Sequence, residues 1–149
     1  MKLRDEIDVD TTYKDRFFEG TDFQDYAIEK LYDNGIVVIP FSSRKYQLLK
    51  GESKTGYEFK YDKLYAETGN FYIETAEKKK DDAEYHPSGI ERKDNTLFWC
   101  IGDYNSIFLI SKKQLHLVKD RFKQVATNTS KGFLLPVEYA KKFLVIAEF

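Results

Sequence analysis

The chain has 149 residues, of which 42% are hydrophobic and 16% aromatic, with 3 prolines and 8 glycines. That excludes a disordered or low-complexity chain and is enough for one substantial core. Its 24 basic and 25 acidic residues leave a net charge of −1, so the overall balance announces no polyanionic partner. The single cysteine, Cys100 in "LFWCI", excludes an intramolecular disulfide and a thiolate metal cluster. "MKLRDEIDVD" has no apolar leader, and no run approaches the roughly 18 to 20 apolar residues of a membrane span, so the expectation is a soluble, cytoplasmic protein without a membrane partner.

In chain order, residues 22 to 34 place Phe23, Tyr26, Ala27 and Leu31 at helical spacing, with Thr21 or Asp22 as N-cap and Gly35 as the stop. The β-branched run "IVVIPF" then predicts a short buried strand, and "SSRKYQLLKGESKT" a polar connection. Next comes "YEFKYDKLYAETGNFYIETAEK". It reads as a hairpin of strands 57 to 63 and 70 to 77, turning at Gly69. Tyr57, Phe59 and Tyr61 share one face of the first strand, and Glu58, Lys60 and Asp62 the other. In the second strand Phe71, Ile73 and Thr75 oppose Tyr72, Glu74, Ala76 and Lys78. Residues 79 to 95 predict a loop with a helical turn from Ser88. "TLFWCIG" and "SIFLIS" predict a second hairpin through "DYN". Ser111 should cap a helix running to about Gln124, and Pro136 should open a last helix, "PVEYAKKFLVIAEF". The outcome is a mixed α/β chain with a largely antiparallel sheet.

"GESKTG" lacks the spacing and terminal Lys-Ser/Thr of a phosphate loop. His86 and His116 stand alone, and no nucleophile elbow surrounds a serine or Cys100. The charged side of the first hairpin remains. A hard cation such as Mg²⁺ takes one or two carboxylates plus substrate oxygens, and a lysine beside it can orient water and stabilise charge on phosphate. Glu58, Lys60, Asp62 and Glu74 supply those parts, although opposed Glu and Lys on an exposed hairpin are also ordinary cross-strand ion pairs. Basic clusters occur at Lys78, Lys79 and Lys80, at Arg92 and Lys93, at Lys112 and Lys113, and at Lys119, Arg121 and Lys123. Taken singly, such runs read as solvated faces.

The succession "DFQDYAIEKLYDNGIVV", an acidic strand, "GNFYIETAEK" and "SGIERKDNTLFW" resembles the PD-(D/E)XK nuclease superfamily, the restriction-endonuclease-like fold. It is also similar to uncharacterised phage proteins with the pattern GE…G.E.K.D…GN.YIE. The resemblance covers about residues 16 to 118. It implies a single domain over 1 to 149, with a mixed, mostly antiparallel central sheet flanked by helices. The implied function is a metal-dependent nuclease cutting phosphodiester bonds, DNA in the first place, with a homodimer allowed. In the register we take, Asp62 and Glu74 would hold Mg²⁺ or Mn²⁺, Lys60 would act as the lysine and Glu58 as further ligand or base. Lys78, Lys79, Lys80, Arg92 and Lys93 would contact phosphates. A second register reads Glu58 and Lys60 as the Glu-x-Lys itself, with Glu52 as the preceding acid. The chain departs from the pattern where Ala76 stands two residues after Glu74. Where some members carry a helix glutamate it offers Gln24, with Asp25 and Glu29 nearby. The competing expectations are an inactive member serving as a binding or interaction module, and a structural domain with a salt-bridged hairpin.

Overall fold

The computed structural model describes residues 4 to 81 and 84 to 148, with side chains from residue 19 to 147 apart from 82 and 83. The helix expected at 22 to 34 is the C-terminal part of a longer one, α1 (Arg4–Asp33). Phe23, Ala27 and Leu31, at i, i+4 and i+8, form its fully buried stripe. The chain leaves α1 through Gly35 at φ +82°, and the amides of Asn34, Gly35 and Ile36 close onto the last carbonyls of the helix.

The strand expected from "IVVIPF" does not form. Val38 alone is buried there, and the segment is an extended arm whose only bridge pairs Pro40 with Ser53. With no sheet partner on either side, Val37 and Ile39 stay exposed. The polar connection after it contains a short helix, α2 (Arg44–Leu49).

The first hairpin is also corrected. β1 (Tyr57–Tyr61) and β2 (Asn70–Glu77) belong to different sheets and are separated by α3 (Tyr65–Thr68). Gly69, expected to turn the hairpin, is left-handed and ends α3 instead. After β3 (His86–Pro87) the turn expected from Ser88 is present as a 3₁₀ turn, Gly89–Glu91; residues 82 and 83 of that loop lie outside the described ones. β4 (Phe98–Gly102) and β5 (Ser106–Ser111) pair as the expected hairpin. The Ser111 hydroxyl accepts the Gln114 amide and caps α4 (Lys112–Val118). α4 stops well short of Gln124, which instead opens β6 (Gln124–Ala126). β7 (Ser130–Pro136) was not anticipated. The expected last helix is only α5 (Val137–Ala140), after which the apolar run from Leu144 forms β8 (Leu144–Glu148).

The chain is mixed α/β and its strands are mostly antiparallel, but they form two four-stranded sheets rather than one central sheet. The orders are β1-β4-β5-β8, with β1 parallel to β4, and β3-β2-β7-β6. One core joins Phe71, Ile73, Phe133 and Leu135 of the second sheet to Trp99, Ile101, Phe108 and Ile110 of the first. A second core packs α1 on the other face of the first sheet, through Phe59, Cys100 and Ile107. Phe59 therefore faces α1, while its neighbours Glu58 and Lys60 alternate onto the face that meets the second sheet. Among the described residues no helix is long and apolar enough to cross a membrane.

Candidate functional site

β1 is the edge strand of its sheet, so its outward amides need partners from outside the ladder. The residues just before it supply them. Ser53 accepts the Tyr57 amide at 2.8 Å, and Glu52 accepts the Phe59 amide at 2.8 Å. Glu52 is thereby held against the middle of β1. Period-two alternation puts Glu58 and Lys60 together on the other side of Phe59, with the Lys60 ammonium 3.2 Å from the Glu58 carboxylate. The Thr96 hydroxyl lies 3.5 Å from the second Glu58 oxygen, and Lys60 also sits over the Trp99 ring at 5.3 Å.

The electrostatics join these three residues. Burial pushes the Glu52 carboxyl up to about 7; Glu58 pushes the same way, while Lys60, the Phe59 amide and Arg92 pull back. Burial opposes the charge on Lys60, but Glu58, Glu52 and then Glu74 more than offset it, and its pKa rises. The charged side of β1 is not the wet side of a hairpin. Glu58 is 5% exposed, whereas the Lys60 side chain keeps 40% of its surface open. Glu52 at the edge of β1 and the Glu58–Lys60 pair on its inner face thus form a corner whose groups feel one another electrostatically.

Two hollows flank this corner. One, of about 700 Å³, is lined by Lys60, Asp62, Tyr72, Glu74 and Trp99. The other, of about 430 Å³, is lined by Glu52 together with Gln24, Asp25 and Gln47. Gln24, the residue at the helix-glutamate offset, therefore shares a hollow with Glu52.

Asp62 and Glu74 line one hollow but come from different sheets, and both are engaged. Asp62 accepts the Leu64 amide at 3.0 Å and the Tyr72 amide at 3.3 Å, so it closes the turn after β1 and ties it to the free edge of β2. Glu74 accepts the Ser130 hydroxyl at 2.8 Å, itself 2.5 Å from the Tyr72 hydroxyl. A bulge between Glu74 and Ala76 breaks the period-two relation that would make these two a Glu-x-Lys pair of positions. Lys78 lies over the Tyr85 ring at 4.7 Å, and Lys79, Lys80 and Lys93 are exposed. Arg92 donates to the carbonyls of Gln47 and Leu48 at the end of α2 and lies 3.8 Å from Asp94. It fastens α2 rather than presenting a free guanidinium.

Among the described residues no group of three or more His, Cys, Asp or Glu side chains is placed to hold a metal ion. Glu52 and Glu58 offer two hard oxygen donors beside a cation. Mg²⁺ commonly takes that number, completing its octahedron with water and phosphate oxygens. In ligand type these two suit Mg²⁺ or Mn²⁺, but Glu58 would have to exchange its Lys60 and Thr96 contacts for the ion. His86 and Cys100 do not contribute: His86 is exposed, and burial pushes the Cys100 thiol far up. In the sequence Glu52 is singled out only by its place in the spacing Glu52, Glu58, Lys60. No family model matches the chain, and neither a curated protein nor a solved structure is similar to it at a significant level.

Proposed function

We propose that this chain is a metal-dependent nuclease hydrolysing phosphodiester bonds, with a restriction-endonuclease-like site built from Glu52, Glu58 and Lys60. The observation that carries the reading is the 3.2 Å pairing of Glu58 with Lys60 on a sheet-edge strand whose Phe59 amide is held by Glu52, with Gln24 of α1 in the hollow beside Glu52. A structural ion pair needs one carboxylate. A second one, held near neutrality by burial, is a destabilising arrangement of the kind that marks functional sites.

Glu52 and Glu58 would hold Mg²⁺ or Mn²⁺, which when bound polarises phosphate oxygens and acidifies water. Lys60 keeps its charge through the neutral range and reaches the open side of the corner. It would orient the attacking water and offset the charge gathering on the phosphate oxygens. Glu58 sets the ammonium's position through its 3.2 Å contact. Asp62 would act through the turn it closes. Because Lys60 comes from β1, Ala76 need not supply a lysine. The engagement of both Glu58 oxygens by Lys60 and Thr96 favours the second reading, an inactive nuclease fold that binds nucleic acid or protein.

Incubation with supercoiled plasmid and with a single-stranded oligonucleotide tests the proposal. Wild type should cleave at least one of them with Mn²⁺ and neither with chelator, and Lys60→Ala should abolish cleavage. An inert wild type across both substrates would leave the binding-module reading in its place.

A further inference from the structure

A groove of about 690 Å³ lies between α2, the 3₁₀ turn at Gly89–Glu91 and α4. Lys50, Arg92, Lys93 and Lys112 line it, against the carboxylates Glu91 and Asp94. Both carboxylates are already occupied. Glu91 meets Lys119 at 2.8 Å and His116 at 3.2 Å. The Asp94 side chain, 1% exposed, meets Lys112 at 3.0 Å and accepts the Thr96 amide at 2.9 Å. Lys50 and Lys93 are exposed and, among the described residues, form no ion pair. The groove is thus locally cationic in a chain of net charge −1.

The groove also abuts the acidic corner. Asp94 holds Thr96, whose hydroxyl reaches Glu58, and Lys50 stands two residues before Glu52, with its carbonyl accepting the Asn95 amide at 2.8 Å. Lys78, Lys79 and Lys80 are a poorer candidate, because Lys78 is stacked on Tyr85 and the acidic residues Asp81 and Glu84 follow in the same loop.

We infer that this groove is the track for the sugar-phosphate backbone of the nucleic acid beside the cut site, with Lys50 and Lys93 as its phosphate contacts. The inference rests on the nuclease reading for its substrate class. Contacts to phosphate position the strand without reading bases, and each neutralised phosphate releases counterions, so affinity falls with salt.

Fluorescence anisotropy of a labelled DNA duplex, and of one of its strands alone, tests this in EDTA, where no cleavage intervenes. In the double variant Lys50→Ala/Lys93→Ala the slope of log affinity against log salt should fall by about 1.8 with duplex or about 1.4 with single strand. Lys50→Arg/Lys93→Arg should restore it, and Lys79→Ala/Lys80→Ala should leave it unchanged. An unchanged slope in the double alanine variant, an equal loss in the Lys79/Lys80 variant, or no binding of either DNA form by wild type at low salt would overturn the groove. Mn²⁺-dependent cleavage with an unaltered slope would sink the groove alone. Slope loss without any cleavage would uphold the groove and sink the nuclease.

Discussion

Replacing Glu52 by Gln probes the acidic corner through stability rather than activity. Its carboxyl is raised from an ordinary 4.5 to about 7, chiefly by burial. Between those two values the folded chain holds a proton that the unfolded chain has lost. Stability therefore falls as pH rises through that window, and the full penalty remains above it. At ~1.4 kcal/mol for each factor of ten in acidity, the penalty at pH 8 is about 3 kcal/mol. Glutamine cannot ionise, and its amide oxygen can still accept the Phe59 amide that Glu52 accepts at 2.8 Å. Glu52→Gln should accordingly be more stable than wild type by up to about 3 kcal/mol at pH 8, and within about 0.5 kcal/mol of it at pH 4.5. Urea unfolding at the two pH values measures both differences. Partial burial opposes the charge on Glu91 and Asp94, but their cationic and hydrogen-bonding partners win and lower their pKa values. The stability they add is present above their unfolded pKa values and is lost as pH falls through the folded ones, equally in both proteins. A Glu52→Gln variant less stable than wild type at pH 8, or a difference that ignores pH, would refute the reasoning.

Asp62→Ala should lose the two amide contacts that close the turn after β1, lowering stability by about 1–2 kcal/mol in urea. It should leave Mn²⁺ affinity unchanged within error; a large loss of affinity would return Asp62 to the metal site. Gly89→Ala should destabilise by about 2 kcal/mol or more. Gly89 has φ +54°, and an added Cβ would lie 2.0 Å from the Glu74 carbonyl oxygen. A thermal melt within a degree of wild type would contradict that placement.

What was legible in the sequence was local. Phe23, Ala27 and Leu31 declared a helix by their spacing, Ser111 declared a cap, and the two apolar runs around Asp103 to Asn105 could pair only with each other at such short range. The errors came where partners are distant. β1 pairs in parallel with β4 across the whole of β2, β3 and the turn, and nothing in "YEFKY" specifies that neighbour. "IVVIPF" has strand composition but no strand beside it, and "LVIAE" becomes a strand because β5 offers it an edge. The candidate site was legible only in part. Lys60 and Glu58 followed from alternation along one strand, whereas Asp62 and Glu74 were joined to them by a pairing that β1 and β2 do not make. Glu52 reaches the corner from outside the strand, through one backbone amide, which period-two reasoning does not reveal.

Calorimetric titration of Mn²⁺ at pH 6 and pH 8, into wild type and into Glu52→Gln, tests most directly whether Glu52 and Glu58 form a cation site. A metal must displace the proton held by a carboxyl that titrates at about 7, so wild type should bind one Mn²⁺ about tenfold more tightly at pH 8 than at pH 6. Glu52→Gln should lose that binding at both pH values. Absence of binding heat from wild type at either pH, or equal binding by Glu52→Gln, would contradict the account.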